Sequence, residues 1–186
     1  MDRRVKYTKK VIEDTFLNLL VKKDISNITV TEICEIADVN RGTFYRYYVD
    51  VYDLLHKIEQ DFINQIKESP PIEQLGAHSI YIFTKGILSI FEKNKKLVRI
   101  LFKPERNIYF LNEVLDLAYS KRTSNWSDPS IDSDELEYAV VFIFNGALGV
   151  INYWVKNDFS LDIDSLAKDI EQYCVNGAKK YIPRYQ

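Results

Sequence analysis

Residues 29–50 read TVTEICEIADVNRGTFYRYYVD. Thr29 can cap a helix, and Glu32 stands three residues on, the spacing at which each side chain satisfies an orphan amide of the other. Ile33, Ile36 and Ala37 then supply an inner face at helical spacing. "ADVN" breaks the pattern, and Asn40 is a favourable cap for a further helix predicted over Arg41–Tyr48. The predicted arrangement is helix, tight polar turn, helix, with small Ala37 and apolar Val39 where the two must pack closely.

The Arg41–Tyr48 helix has the wrong composition for a core. Phe44 is its inward anchor, with Tyr48 on the same side one turn on. Arg41, Gly42, Tyr45 and Arg46 are then left facing outward, with Thr43 and Tyr47 on the flanks. A helix of this kind fits the major groove of B-DNA, where its N-terminal residues reach base edges. Arginine at the helix start can offer two donors to guanine O6 and N7, Gly42 allows close approach, and tyrosine hydroxyls can reach phosphate oxygens. On these residues alone, a Tyr-rich surface helix in a chain with 13 Tyr is the competing reading.

Working outward, a first helix is predicted over Thr8–Lys23, with Ile12, Phe16, Leu19 and Leu20 on one face. The basic cluster Arg3, Arg4, Lys6, Lys9 and Lys10 precedes it, as a solvated tail or as a phosphate contact. Asp50 and Asp53 start a fourth helix reaching Lys67, and Pro70–Pro71 marks a domain boundary. Further helices are predicted over Glu73–Lys93, Lys95–Lys103, Glu105–Arg122, Ser133–Asn157 and Ile163–Lys180. No strand-period alternation is found, so the fold class is all-α. Residues 1–50 are expected to form a three-helix helix-turn-helix DNA-binding domain, 51–68 a connecting fourth helix, and 69–186 a second helical domain.

Composition agrees. The chain has 186 residues, 46% hydrophobic and 28% charged, with only 6 Gly and 5 Pro, a globular balance too poor in turn residues for an all-β fold. The net charge of −2 is uneven: residues 1–58 hold 10 Lys/Arg and 9 Asp/Glu, residues 59–186 hold 15 and 18. Cys34 and Cys174 make no metal or redox spacing, which suits reduced thiols in the cytoplasm. The charged start leads into no apolar run, so no secretory signal is expected. Ala139–Val155 is interrupted by Asn145, Gly146, Gly149 and Asn152 and reads as a buried helix, not a membrane span. His56 and His78 have no partners at a ligand or triad spacing, and no Gly-rich phosphate loop is present. No enzyme, metal or cofactor is expected.

The first ~60 residues resemble the TetR/AcrR family of bacterial transcriptional regulators, a domain-sized match. Thr29, Ile33, Ala37 and Val39, then Gly42, Thr43, Phe44, Tyr45, Tyr48 and Leu54, carry the resemblance. It implies base contacts from Thr31, Arg41, Gly42 and Tyr45, and phosphate contacts from Thr29, Thr43, Tyr45 and Tyr47. Two departures stand out: Asp38 replaces a turn Gly, and Val51 replaces a phosphate-gripping Lys. The family also implies a C-terminal domain that dimerises and encloses a small-molecule effector. "FIFNGALGVINYWVKNDFS" is similar to the Phe-x-x-Gly-Gly-x-x-Gly-x-x-x-x-Trp stretch of one subgroup, through Phe144, Gly146, Gly149 and Trp154. Candidate dimer contacts are Gly146, Gly149, Tyr153, Leu166, Ile170 and Tyr173. Candidate pocket residues are Tyr81, Phe102, Tyr109, Trp126, Phe142 and Asn145. The expected function is a homodimeric repressor on a palindromic double-stranded DNA operator. The alternative is a relative whose C-terminal domain grips a protein partner, as a coactivator or adaptor.

Overall fold

The computed structural model describes residues 3–68, 79–103, 110, 112–114, 116 and 133–178. Among these residues all regular structure is helical. The chain contacts divide it into two compact units, Met1–Gln65 and Ile66–Gln186. The expected helix over Glu105–Arg122 and the Pro70–Pro71 boundary fall mostly or wholly outside the described residues.

In the first unit, α1 (Arg3–Lys22) buries Ile12, Phe16 and Leu20, together with Thr15. It starts five residues earlier than predicted, so Arg3, Arg4 and Lys6 are helical instead of a tail. A 3₁₀ turn, Ile25–Asn27, leads to α2 (Val30–Ala37). Thr29 caps α2 by accepting from the Glu32 amide at 3.1 Å. The reciprocal half of the capping box is replaced: the Glu32 carboxylate takes Lys23 Nζ at 2.6 and 2.9 Å, tying α2 back to the end of α1. Ile33, Cys34 and Ala37 are buried, whereas Ile36, expected inside, is 59% exposed. An eight-residue helix presents only two turns inward, and Cys34 rather than Ile36 completes its narrow buried face.

Asp38 terminates α2 in the left-handed region (φ 52°, ψ 48°), a conformation Asp tolerates. The helix that follows, α3, covers Arg41–Tyr45, shorter than predicted, with turn bonds from Tyr47 and Tyr48 amides to the Phe44 carbonyl carrying the coil onward. α4 (Val51–Lys67) is capped by Asp50, whose Oδ1 accepts from the amides of Tyr52 and Asp53. Its buried face contains Val51, Leu54, Leu55, Ile58 and Phe62 at helical spacing.

The second unit contains α5 (Ser79–Lys93), α6 (Lys95–Leu101), α7 (Ser133–Lys156) and α8 (Ile163–Ala178). α8 packs against both α5 and α7, and α6 joins α5 and α7. Leu88, Phe91, Val98, Ile100, Trp154 and Ala167 are almost wholly buried here. α7 ends at a corner where Asp158 and Phe159 both take positive φ (59° and 58°). That corner is held by Trp154 stacked edge-on against Phe159, by the Trp154 indole N–H donating to the Leu161 carbonyl, and by an Arg99–Asp158 ion pair.

One polar contact inside the first unit has a measurable consequence. The Tyr48 hydroxyl donates to Glu13 Oε1 at 2.8 Å, and burial raises the Glu13 pKa against the opposing pull of that bond. A raised folded-state pKa means Glu13 favours folding while protonated. That contribution is present below the ordinary glutamate value and is lost as pH rises through the raised one. Glu13→Gln is therefore expected to melt above wild type at pH 7, with the gap closing near pH 4. Tyr48→Phe, which strips the carboxylate of its donor, should cost about 1–3 kcal/mol in chemical denaturation at pH 7.

Candidate nucleic-acid interface

The short helix α3 is held from both ends and from beneath. At its start, Asn40 Oδ1 accepts from the Gly42 amide at 2.8 Å, and the Asn40 carbonyl takes the amides of Thr43 and Phe44. A side chain on Gly42 would place Cβ 3.3 Å from that same Oδ1, so the cap leaves little room there. Beneath, Phe44 is fully buried and its ring lies 5.4 Å from that of Tyr48, itself 2% exposed. At the exit, Lys57 Nζ donates to the Tyr47 carbonyl at 2.9 Å and pairs with Asp53 at 2.8 Å. A five-residue helix has no independent stability, so its orientation comes from these contacts.

The opposite side of α3 is open. Arg41, Gly42, Tyr45 and Arg46 are exposed, and Thr43 and Tyr47 are half-buried on the flanks. The Tyr45 hydroxyl sits against the Arg41 guanidinium and pushes its pKa further up, so the cation carries a neighbouring hydroxyl one turn on. Thr29, the cap of α2, and Thr31, in its first turn, are exposed, and Thr31 shares with Arg41 the lining of one open concavity. The residues named from the sequence for DNA contact therefore stand on the surface of one unit, with charge, hydroxyls and a bare backbone position displayed together.

Two features of this surface were not anticipated. Lys57 pins the Tyr47 carbonyl, and Lys9 Nζ stands over the Tyr47 ring at 5.5 Å. The Asp53–Lys57 spacing of four was a visible hint for the first. Nothing local reveals the second, which joins residues 38 positions apart.

The candidate pocket residues that are described lie in different surroundings. Phe142 is 75% exposed, and Asn145 is exposed with its amide donating to the Val141 carbonyl of its own helix. Both lie on the outer line of α7, because that helix is apolar nearly all round and sequence gives no phase for it. Phe102 is core, packed against Phe91 and Phe110. Tyr81 belongs to a polar cluster in which its hydroxyl donates to Asp164, whose carboxyl is held well below its usual range by Lys168, Lys85 and Tyr81. Tyr109 and Trp126 lie outside the described residues.

The candidate dimer set divides. Gly146, Gly149, Tyr153 and Tyr173 are exposed, whereas Leu166 and Ile170 are 2% exposed and serve the core of their own unit. The reason is that α8 is amphipathic, and these two aliphatics occupy its inner stripe while Tyr173 lies outside it. α7 is likewise not the buried helix expected. Glu137–Lys156 is long and apolar enough to cross a membrane, yet only a third of its most apolar window is buried within the molecule.

An all-helical chain that displays a capped, outward-facing short helix behind a helix-turn defines a helix-turn-helix DNA-binding regulator. A TetR-family profile described as "Transcriptional regulator C-terminal region" matches residues 78–176. The chain belongs to the TetR family of transcriptional regulators. It is also similar to the uncharacterized HTH-type transcriptional regulator YxbF of Bacillus subtilis (strain 168), 34% identical over 61 residues. That match spans 32% of this chain and only 16% of the relative's length. Among solved structures, the dihydroxyacetone kinase operon activator DhaS superposes with TM-score 0.67 at 17% identity, over 94% of this chain and 98% of that one. FadR of Bacillus subtilis in complex with stearoyl-CoA superposes with TM-score 0.58 at 16% identity, over 90% and 98%. These likenesses establish the shared fold.

Asn40→Ala should cost about 1 kcal/mol of stability by loss of the cap. It should also weaken DNA binding more than a surface Asn64→Ala on α4 does, measured by urea denaturation and fluorescence anisotropy on one duplex. Equal losses of binding in the two variants would mean that the cap does not orient α3.

Proposed function

We propose that the chain is a homodimeric repressor that binds a palindromic operator through α3 and is released by a small apolar or aromatic effector. The observation that carries DNA binding is the exposed Arg41–Gly42–Tyr45–Arg46 surface over a fully buried Phe44 anchor. In this reading Arg41, Gly42, Tyr45 and Thr31 reach base edges, while Thr29, Thr43, Tyr47 and the Tyr45 hydroxyl meet phosphates, with Arg46 outward beside them. Residues 1–50 do the reading, 51–68 connect, and 69–186 pair and sense, in the cytoplasm.

Dimerisation is supported by the outer line of α7. Tyr138, Phe142, Asn145, Gly149 and Tyr153 recur at spacings of three and four and are all exposed. A Cβ built on Gly146 or Gly149 meets nothing within 4 Å, so contacts within the chain do not call for glycine there. Each glycine costs a helix interior about 1 kcal/mol relative to alanine. Close approach of a second α7 would offset that, with Tyr173 of α8 alongside. A two-fold pair can then present both α3 helices to half-sites ~34–36 Å apart.

Occupying a promoter excludes polymerase without further contacts, which is why we take the sign as repression. An apolar effector is in keeping with FadR of the same fold having been solved with stearoyl-CoA. Effector binding would change the spacing or tilt of the paired α3 helices so that both no longer fit adjacent grooves.

Arg41→Ala and Tyr45→Ala should each abolish retention of the operator in a gel-shift assay, while helicity and sedimentation stay at wild-type values. Retention by both variants would remove the basis for the DNA-binding reading. Phe142→Asp combined with Tyr153→Asp should convert the dimer to a monomer in analytical ultracentrifugation and weaken operator binding at least tenfold. A wild-type protein that sediments as a monomer would assign this face to another partner.

A further inference from the structure

The N-terminal half of α1 is arranged against its own electrostatics. Cations at a helix N-terminus oppose the macrodipole, and like charges three or four residues apart repel. Yet α1 opens with Arg3, Arg4, Lys6, Lys9 and Lys10 and has no acidic residue in its first turn. Arg3, Lys6 and Lys10 fall at i, i+3 and i+7 and are exposed; Lys9, three residues after Lys6, is half-buried beside them. Among the described residues no carboxylate forms an ion pair with Arg3, Lys6, Lys9 or Lys10. Glu13, one turn after Lys9, attracts it through space, but its close contact is with the Tyr48 hydroxyl.

This ridge has a fixed position relative to α3. Lys9 Nζ stands 5.5 Å above the Tyr47 ring, so Lys9, and through it the ridge, adjoins the C-terminal flank of the exposed helix. The other elements at that flank offer a phosphate little. Val51 at the start of α4 is buried, and the amides of Tyr52 and Asp53 are already taken by the Asp50 carboxylate. Lys57 is committed to the Tyr47 carbonyl and to Asp53. The amides at the start of α4 are thus taken by its own carboxylates, and α1 holds the positive charge.

We infer that Lys6, Lys9 and Lys10, with Arg3 beside them, form a phosphate-binding ridge that grips the DNA backbone next to the groove occupied by α3. The inference rests on the DNA-binding reading above and adds to it a sequence-independent contact from a different helix. In the free protein the ridge is a self-repelling cluster; a polyanion relieves the repulsion, and release of condensed counterions drives the association. The contact carries affinity and salt dependence, while discrimination between sequences stays with α3.

The test uses the full chain and two duplexes: one selected by the wild-type protein from a random-sequence pool, and one unselected of equal length. Binding is followed by fluorescence anisotropy from 50 to 300 mM KCl. For Lys6→Gln/Lys9→Gln/Lys10→Gln, the slope of log Kobs against log[KCl] should flatten by about 0.9 for each lysine–phosphate contact removed in each protomer. Affinity at 50 mM KCl should fall at least tenfold on both duplexes alike, so that their ratio is unchanged. Lys6→Arg/Lys9→Arg/Lys10→Arg should restore the slope, and circular dichroism should show both variants as helical as wild type. An unaltered slope in the glutamine variant, or a loss confined to the selected duplex, overturns the ridge. Loss of helicity in the glutamine variant would assign the lysines a structural role and overturn it too. A wild-type protein that selects no duplex at all would instead sink the DNA-binding reading, and the ridge with it.

Discussion

The seat of α3 is the contact on which the rest of the molecule's use depends. Phe44 and Tyr48 enter the first unit side by side, and the Tyr48 hydroxyl finishes on the half-buried carboxylate of Glu13 in α1. Five residues of helix hold no shape alone, because nucleation costs more than so few bonds return. Once the two rings are buried, every outward residue from Arg41 to Arg46 has its direction set. The apolar rings supply the burial energy, and the single hydroxyl–carboxylate bond fixes which way the pair lies.

Around that seat the same economy recurs: short polar devices orient what hydrophobic burial holds. Asn40 and Asp50 cap the helices on either side of the seat, Asp38 turns the chain in a left-handed conformation, and Lys57 closes the exit. None of these is worth much singly. Together they leave the backbone from Ala37 to Val51 few alternatives, which is what a surface that must match another molecule requires.

Much of this was legible in the sequence, and the parts that were not share a cause. Caps and turn residues act within four positions, so Thr29, Asn40 and Asp50 could be read directly, as could the Phe44–Tyr48 spacing. Failures came where local pattern carries no phase. α7 is apolar nearly all round, so nothing in its sequence told the outward Phe142 from the inward Ile143 and Ile151. On α2 the buried stripe runs through Ile33, Cys34 and Ala37, and Ile36, two residues on from Cys34, falls on the other side. Contacts such as Lys23–Glu32 and Lys9–Tyr47 depend on how helices pack, which no spacing rule contains.

The corner after α7 gives the second unit a property of its own. Trp154 is 1% exposed, its indole N–H is bonded to the Leu161 carbonyl, and its ring rests against Phe159, which itself sits in a conformation that non-glycine residues seldom adopt. A ring so enclosed is expected to emit at short wavelength, as in an apolar solvent. Any rearrangement that frees Phe159 from its left-handed turn would let water reach the indole and shift that emission to the red. With Trp126 replaced by phenylalanine, Trp154 would be an optical gauge of the joint between α7 and α8 that requires no label.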